Sequence, residues 1–525
     1  MKQMKPFTFL SNRRKFLGAL ASTLAWLSLP SFAQNNEPPR KKKGGQGGGG
    51  GGGRGRRGAQ DYVLPPELAA FSWLSLVLGR VTDKSVTVSA VANENIEGFF
   101  EYGTSAGNYT YKTELIKFAA TKPVEAALEN LQPNTQYFYR LQFRKPGETN
   151  FTARPEGQFH TQRAAGSTFT FAIQGDSHPE RPQMSEPNLY ARTLQNVAKD
   201  KPDFYICMGD DFSVAPIREV SFNAVAERYT LQRSFLGLVA QFAPVLLLNG
   251  NHEQASLFNF NQTDDRHAVA VHAQNARNQF FPTPAPDGFY SGDAEQLNGI
   301  GLRKDYCAWI WGDALFVILD NYWHSPAQVD SGFREQEAGG GKGGHGQRDW
   351  WAMTLGDAQY QWFKRTLETS KAKYKFVFAH HVMGSGRGGV DECDLYEWGG
   401  HDRNGAYEFK QRRPNWELPV HQLMAKHGVT IFFQGHDHLF CRQERDGIIY
   451  QEVPMPADHG YATYNEQRYE SGVKLPNSGH LRVTVSPANV KVEYVRSFLP
   501  KDETARNKTG DIAHSYTVKA KSLHA

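Results

Sequence analysis

Short apolar runs alternate with amphipathic stretches through the C-terminal two-thirds of the chain. Apolar runs typical of buried strands occur at 169–173, 204–208, 245–248, 315–319, 375–378 and 429–433. Helical spacing of apolar positions separates many of these runs, at 189–197, 225–238, 357–370 and 418–426. Three later runs alternate with the period of two that half-buried strands show, at 448–453, 481–485 and 490–494. This order of strands and helices predicts a layered α/β domain.

The preceding region, 70–163, has a different pattern and reads as all-β. Its alternating runs are separated by turn residues and lie at 85–91, 98–102, 137–143 and 157–161. The stretch 131–141 resembles the turn and following strand of a fibronectin type III domain, in which a tyrosine hydroxyl bonds back to the turn backbone. The region also resembles the N-terminal sandwich of purple acid phosphatases. We therefore predict a β-sandwich that acts as a scaffold rather than as a ligand-binding module.

The first 33 residues have the pattern of an export signal. Asn-Arg-Arg-Lys-Phe-Leu at 12–17 is a twin-arginine motif, an apolar stretch follows at 16–29, and Ser-Phe-Ala at 31–33 is typical of a cleavage site. A general secretory signal with a basic start is the alternative. We predict recognition by the twin-arginine export machinery, which carries folded proteins, and a periplasmic or secreted location.

Residues 34–69 are predicted to be a linker, and 501–525 a C-terminal tail. The part at 34–59 combines a long glycine run with basic clusters and has little apolar surface to bury. It is either a flexible tether or a nucleic-acid-binding arm. The positive charge of this part and of the signal together exceeds the net charge of +5 of the whole chain. The rest of the chain, which forms the folded body, is therefore mildly acidic. That sign argues against broad binding of nucleic acid by the body.

Two further features of the sequence leave questions open. The four cysteines are scattered without the spacing of a zinc ribbon or a disulfide-dense scaffold, so their pairing cannot be derived from the sequence. Two long stretches, 253–305 and 322–351, interrupt the regular pattern and are predicted to be loops, either lids beside a site or disordered filler. No apolar run in the chain reaches the ~20 residues of a membrane-spanning helix.

Polar motifs follow five of the predicted strands. They are Gly175-Asp176-Ser177-His178, Gly209-Asp210-Asp211, Gly250-Asn251-His252-Glu253, Ala379-His380-His381 and Gly435-His436-Asp437-His438. In open α/β sheets, ligands bind at the carboxyl ends of the strands. Carboxylate, amide and imidazole groups without cysteine suit Zn, Mn or Fe. The set is too large for one ion and suits two ions that share a carboxylate, an arrangement that favours attack at phosphorus.

The order of these motifs resembles the calcineurin-like metallophosphoesterase superfamily over roughly residues 166–500. The resemblance implies a four-layer domain, with two central mixed sheets flanked by helices, and two metal ions. It implies that the first ion is held by Asp176, His178 and His438. It implies that the second is held by Asn251, His380 and His436, with Asp210 bridging both. His252 would bond the phosphate and protonate the leaving group, and a metal-bound hydroxide would attack phosphorus.

Four neighbouring residues have less definite roles. His381 competes with His380 for one ligand position and otherwise lines the pocket. Arg387 is a candidate phosphate contact, although an ordinary surface loop is the simpler interpretation. Glu253 either holds a ligand imidazole or starts a helix, and Asp437 is solvated or structural.

The chain departs from purple acid phosphatases at two positions of the motifs. Those enzymes place an iron-ligating tyrosine three residues after the bridging aspartate, where this chain has Ser213, and they lack the histidine that is here His178. We therefore predict no tyrosinate–iron colour.

The sequence predicts an exported dinuclear metal-dependent phosphoesterase that acts on small phosphomonoesters or phosphodiesters. One alternative is a non-catalytic envelope adhesion or binding protein on a phosphoesterase scaffold. Another is an extracellular nuclease that uses the basic linker.

Overall fold

The computed structural model describes residues 65–329, 349–382 and 386–520. The predicted signal, most of the predicted linker and the glycine-rich run at 339–346 lie outside these residues.

The N-terminal region contains two β-sheets and a short entry helix, α1 (Ala69–Trp73). Its strands are β1 (Leu74–Gly79), β2 (Val86–Ala92), β3 (Ile96–Gly103), β4 (Tyr111–Lys112), β5 (Ile116–Phe118), β6 (Val124–Leu128), β7 (Gln136–Arg144), β8 (Thr152–Ala153) and β9 (Gly157–His160). One sheet has the order β1-β2-β6, and the other is centred on the antiparallel pair β3–β7. The backbone N–H of Gln132 donates to the Tyr137 hydroxyl at 2.9 Å, which confirms the predicted bond between a tyrosine and the turn.

The C-terminal region holds the remaining elements. Its strands are β10 (Phe169–Gln174), β11 (Tyr205–Cys207), β12 (Val245–Leu247), β13 (Ser291–Gly292), β14 (Gln296–Leu297), β15 (Gly301–Leu302), β16 (Cys307–Trp311), β17 (Ala314–Ile318), β18 (Tyr374–Phe378), β19 (Ile431–Gln434), β20 (Phe440–Arg445), β21 (Ile448–Glu452), β22 (Val473–Leu475), β23 (Gly479–Val485), β24 (Asn489–Arg496) and β25 (Ile512–Lys519). Its helices are α2 (Pro187–Asp200), α3 (Phe222–Ala240), α4 (Leu257–Phe260), α5 (Asp265–Phe280), α6 (Gly356–Thr369), α7 (Tyr396–Gly399), α8 (Phe409–Arg412) and α9 (Val420–Lys426). Within the described ranges, no helix combines the length and the apolar character needed to cross a bilayer.

Two mixed sheets form the centre of this region. The order of the first is β12-β11-β10-β23-β24-β25, and that of the second is β13-β16-β17-β18-β19-β21-β20-β22. Their inner faces meet in an aromatic core, where the ring of Phe171 on β10 lies 5.1 Å from that of Phe316 on β17. Helices α2, α3 and α5 cover the outer face of the first sheet, and α6, α7 and α9 cover that of the second. The predicted four-layer α/β architecture is confirmed.

The structure differs from the sequence-based expectations at three segments. The predicted loop 253–305 contains helix α5, which begins at the N-cap Asp264 and buries small residues such as Ala270 and Ala273 against the first sheet. The predicted tail contains β25, which pairs with β24 at the edge of that sheet. The predicted linker ends too late, because Leu68 is fully buried in the core around α3. Burial against partners distant in the chain explains α5 and Leu68, and backbone pairing with β24 explains β25.

A buried arginine fastens the N-terminal sheet β1-β2-β6 to the C-terminal region. Arg233 on α3 is 1% exposed, and all of its assigned acceptors are neutral oxygens. Its Nε donates to the Ser75 hydroxyl at 2.8 Å and its Nη2 to the Ser89 carbonyl at 2.8 Å, while Nη1 donates to the Phe280 carbonyl. Burial lowers the pKa of Arg233 to about 9, so the group is still charged at neutral pH. The guanidinium thus joins β1, β2, α3 and α5.

Replacing this arginine should destabilise the fold. Arg233→Met removes the donors and leaves buried serine and carbonyl oxygens unpaired, so we expect the free energy of unfolding to fall by about 3 kcal/mol. Urea unfolding followed by tryptophan fluorescence measures this change. The matched control is Arg144→Met, which removes a partly exposed pair with Glu97 on β3 and should cost less than about 1 kcal/mol. Equal stability of the two variants would contradict the docking role of Arg233.

All four cysteines, Cys207, Cys307, Cys393 and Cys441, are free and buried. No disulfide bridge joins these residues in the structure, which resolves the pairing that the sequence leaves open. Burial raises the pKa of each thiol above its ordinary value, which keeps the groups protonated and unreactive.

Candidate metal centre

The sheets bring the five polar motifs to one place. Strands β10, β11 and β12 run parallel in the first sheet, and β17, β18 and β19 run parallel in the second. Their carboxyl ends therefore lie at one edge of each sheet. The predicted metal ligands follow these ends, and all are buried or nearly so: Asp176, His178, Asp210, Asn251, His380, His436 and His438.

Unusual backbone conformations turn these side chains inward. The φ angles of His178, Asp210, His436 and His438 are 38°, 59°, 77° and 59°, a region that side-chain-bearing residues rarely adopt. Gly209 precedes Asp210 with φ of 99°, and a Cβ atom there would lie 2.9 Å from the Nδ1 atom of His380. Such outliers persist only where the surrounding structure enforces them, and they cluster at functional sites.

Each of the two central carboxylates has one oxygen held by the backbone and one left for the cluster. The N–H of His436 donates to Asp176 Oδ1 at 2.9 Å, and the N–H of His252 donates to Asp210 Oδ1 at 2.8 Å. The other oxygen of Asp176 lies 2.9 Å from His438 Nε2. The other oxygen of Asp210 lies 3.6 Å from His178 Nε2 and 3.5 Å from His380 Nε2. Asp210 is thus centred between two sets of imidazoles.

Hydrogen bonds on the far side of two imidazoles aim their Nε2 atoms into the cluster. His178 Nδ1 contacts the Ser213 hydroxyl at 3.0 Å, and His380 Nδ1 lies 2.8 Å from the carbonyl of Met208. Partners on the outer ring nitrogen are what orients histidine ligands of metals. His178 Nε2 is buried and has no hydrogen-bond partner among the described residues.

Among the residues that the structure describes, two groups of side chains have the spacing of metal ligands, and Asp210 belongs to both. The first contains Asp176, His178, Asp210 and His438, and the second contains Asp210, His380 and His436. Asn251 joins the second group, because its Oδ1 lies 3.1 Å from His380 Nε2 and 3.1 Å from His436 Nδ1. The orphaned nitrogen of His178 and the mixed oxygen–nitrogen donor set both fit metal ions.

The electrostatics of the cluster also favour a cation. Burial alone would raise the pKa of Asp176, but His380 and His438 hold it well below its ordinary value. The pKa of Asp210 is likewise depressed, because His252 and His380 outweigh its burial. Burial would lower the pKa of His380, but Asp210 and Asp176 raise it to about 10. Both buried carboxylates are therefore ionised and are stabilised by positive charge beside them.

A sequence model of calcineurin-like phosphoesterases matches residues 169–440, just over half of the chain. The chain belongs to the calcineurin-like phosphoesterase family. This match confirms the superfamily predicted from the motifs. The protein is therefore a metal-dependent phosphoester hydrolase.

Solved structures with a similar fold support the fold assigned to this calcineurin-like phosphoesterase. It is similar to PhoD at 14% identity, with a TM-score of 0.58 over 86% of this chain and 90% of that one, which shows a shared fold. More distant likenesses are GAP50, the anchor in the inner membrane complex of Plasmodium (10% identity, TM-score 0.35, 67% of this chain and 89% of that one), and the phosphopantetheinyl hydrolase PptH from Mycobacterium tuberculosis (14% identity, TM-score 0.27, 55% and 91%). No curated protein matches the sequence significantly.

The two departures from purple acid phosphatases are structurally linked in this phosphoesterase. Ser213, at the position of their tyrosine, is buried and contacts His178, the residue that they lack. The serine therefore orients an additional imidazole instead of providing a phenolate.

Glu253 fixes the loops that carry Asp210 and Asn251. Its Oε2 accepts the N–H groups of Gly250 at 2.8 Å and Asp210 at 3.0 Å, and its Oε1 accepts those of Asp211 at 2.7 Å and Phe212 at 3.1 Å. Neither predicted role is correct, because Glu253 holds backbone rather than an imidazole and starts no helix.

Glu253→Gln should weaken metal binding while the fold is retained. The amide nitrogen of glutamine cannot accept hydrogen bonds from the two backbone N–H groups that it would face. The loops that carry Asp210 and Asn251 must therefore shift. We expect metal affinity to fall about 10- to 100-fold, the usual effect of removing a group that supports ligands. Titration against a chromogenic chelator measures it. Glu148→Gln is the control, because that exposed carboxylate accepts a single backbone N–H from Lys145. Equal affinities in both variants would refute the role of Glu253.

Three other residues near the cluster have defined surroundings. His381 is buried beside the cluster, with its ring 4.7 Å from that of His436 and parallel to the ring of Tyr322. Arg387 lies at the rim, 30% exposed, and donates to Asp437 at 2.9 Å. Asp437 is buried and accepts the Tyr469 hydroxyl at 2.7 Å, so its role is structural rather than solvated.

Two charged residues beside the cluster, Glu180 and Arg181, follow the first motif and are not predicted from the sequence. Arg181 contacts His252, and the Glu180 carboxylate lies 3.7 Å from His178 Nδ1. The signal was their position within three residues of His178. A charged pair in a turn, however, is indistinguishable in sequence from an ordinary surface pair.

Proposed function

We propose that this protein is an exported phosphoesterase with two metal ions that hydrolyses small phosphate esters outside the cytoplasm. The observation that carries the proposal is the position of Asp210, whose Oδ2 lies almost equally far from His178 and His380. A carboxylate shared by two groups of ligands is the arrangement of a dinuclear hydrolase.

The residues divide into two sets around Asp210. Asp176, His178 and His438 would hold one ion, and Asn251, His380 and His436 would hold the other. Zn, Mn and Fe all suit this donor set. When bound, two such ions polarise phosphoryl oxygens and make water a stronger acid.

His252 would act on the substrate rather than on the metal. Its backbone N–H is used by Asp210 Oδ1, so the position of the residue depends on that carboxylate. Its side chain is 17% exposed, and its Nε2 lies 3.9 Å from Asp210 Oδ2. Burial lowers the pKa of His252 to about 3, although the nearby Asp210 carboxylate opposes this shift. A neutral imidazole can donate one hydrogen bond to a phosphoryl or leaving-group oxygen.

Export by the twin-arginine route is supported by the sequence signal and by the cysteines. A protein folded before export meets the reducing cytoplasm first. Four buried thiols without a bridge suit that order of events.

We also propose that the chain divides into a fibronectin type III-like module over 70–163 and a catalytic domain that begins at 166 and extends past the predicted boundary at 500 to include β25. The Tyr137 hydroxyl contact and the two-sheet arrangement support the module. Its attachment through Arg233 supports a scaffolding role.

The test is steady-state hydrolysis of p-nitrophenyl phosphate and bis-p-nitrophenyl phosphate. The protein is stripped of metal and reloaded separately with Zn, Mn and Fe. Metal-dependent turnover of either ester supports the proposal and assigns the ester class. No turnover with any metal, despite bound ions, would overturn it and favour the envelope binding protein. Loss of nuclease activity on deleting 34–59, with small esters unaffected, would favour the nuclease instead.

A further inference from the structure

A tight turn places the backbone of Arg181 beside the first metal-ligand motif. The N–H of Arg181 donates to the carbonyl of His178 at 2.9 Å. The carbonyl of Arg181 accepts the N–H groups of Met184 at 2.9 Å and Ser185 at 2.8 Å. Both sides of the residue are therefore fixed, and its side chain starts from a defined point next to the cluster.

The guanidinium of Arg181 reaches the ring of His252. Nη2 lies 2.7 Å from Nδ1 and 3.3 Å from Nε2 of that ring. A hydrogen bond along the lone pair of Nδ1 would leave Nε2 roughly 5 Å from the donor, so the two short distances place Nη2 against the ring and leave its tautomer open. Arg181 is thus in direct contact with His252, whose Nε2 faces Asp210.

The same side chain retains a donor for a ligand. The Glu180 carboxylate, 2% exposed, lies 3.4 Å from Nε and anchors one edge of the guanidinium. The side chain of Arg181 is 21% exposed, and no hydrogen bond joins its Nη1 to a residue in the described ranges. Nη2 lies 3.3 Å from His252 Nε2, which lies 3.9 Å from Asp210 Oδ2, so Nη2 is at most about 7 Å from that oxygen. A phosphoryl group that accepts a hydrogen bond from the guanidinium can span this distance.

We infer that Arg181 binds a non-bridging oxygen of the substrate and, with His252, favours phosphomonoesters over phosphodiesters. This inference rests on the proposed phosphoesterase function. A phosphomonoester carries about two negative charges at neutral pH, whereas a diester carries only one. With Nε facing Glu180 and Nη2 on His252, Nη1 is the donor left for such an oxygen, and the planar guanidinium fixes its direction. The positive charge of Arg181 at the rim therefore favours binding of the monoester, which carries the additional negative charge.

The experiment compares wild type, Arg181→Met and Arg181→Lys, each loaded with metal, with Arg144→Met as control. Three quantities are measured: metal content, the affinity for inorganic phosphate by calorimetry, and kcat/KM for p-nitrophenyl phosphate and bis-p-nitrophenyl phosphate. We expect Arg181→Met to keep its metal and bind phosphate about 10-fold more weakly. Its kcat/KM should fall about 10- to 100-fold for the monoester and clearly less for the diester. Arg181→Lys should be intermediate, because it keeps the charge but not the planar fork.

The outcomes separate this inference from the proposed function. A wild type that turns over neither ester defeats the function itself. An active wild type whose Arg181→Met variant binds phosphate normally, or loses both esters equally, overturns the role of Arg181 alone. If Arg181→Met loses metal, Arg181→Lys decides. With metal retained, weaker phosphate binding supports the inference, and unchanged binding rejects it.

Discussion

Asp210→Asn should abolish the dinuclear centre and nearly all hydrolysis. Asp210 is the one carboxylate common to both groups of ligands, and burial keeps it away from solvent screening. Asparagine preserves the shape but removes the charge that would hold two cations together. We expect metal content to fall from two ions to one or fewer, and kcat/KM to fall by roughly 10³-fold or more. Removing a single charge-stabilising group from an active site already costs about 10²–10³-fold.

Atomic emission analysis and ester hydrolysis measure these two effects together. Asp211→Asn is a neighbouring comparison of the same chemistry. Asp211 is also buried, but it contacts Gln174 and Ser177 and lies in neither group of ligands. Two tightly held ions in Asp210→Asn, with activity near that of wild type, would contradict the bridging role.

His252→Ala should separate catalysis from metal binding. His252 approaches the cluster but uses only its backbone to hold Asp210, and alanine keeps that N–H. We therefore expect two bound ions and an unchanged fold, with kcat lowered about 10²- to 10³-fold by loss of a donor to the reacting group.

The control for this variant is His272→Ala on α5, outside the cluster, which should leave kcat unchanged. A leaving-group series sharpens the test, since loss of a proton donor slows esters of weakly acidic alcohols most. A His252→Ala enzyme that is equally slow on all leaving groups, or that has lost its metal, would show that the residue supports the site rather than the reaction.

The cluster itself is largely predictable from the sequence. Strands such as 169–173 and 245–248 are continuous apolar runs, and each predicted ligand follows the end of its run within a few residues. Parallel pairing brings such ends together without further information. Local pattern and global topology therefore agree at Asp176, Asp210 and Asn251.

The remaining features depend on contacts between residues far apart in the chain. Helix α5 has a weak apolar pattern, because its buried face includes Gln274, which accepts the indole N–H of Trp323, and Arg277, which donates to carbonyls of β12 and its end. Strand β25 is mostly exposed and is defined by pairing with β24. The proposed role of Arg181 depends on its contact with His252, which is 71 positions away in the chain. Polar residues whose partners are distant look like surface residues in a single sequence.

Anomalous diffraction from crystals loaded with Mn or Zn tests the central claim most directly. We predict two anomalous peaks about 3.5–4 Å apart, on either side of the Asp210 carboxylate. One peak should adjoin Asp176 and His438, and the other Asn251 and His436. A single peak in this cluster, or ions bound elsewhere while the cluster holds none, would contradict a dinuclear phosphoesterase centre.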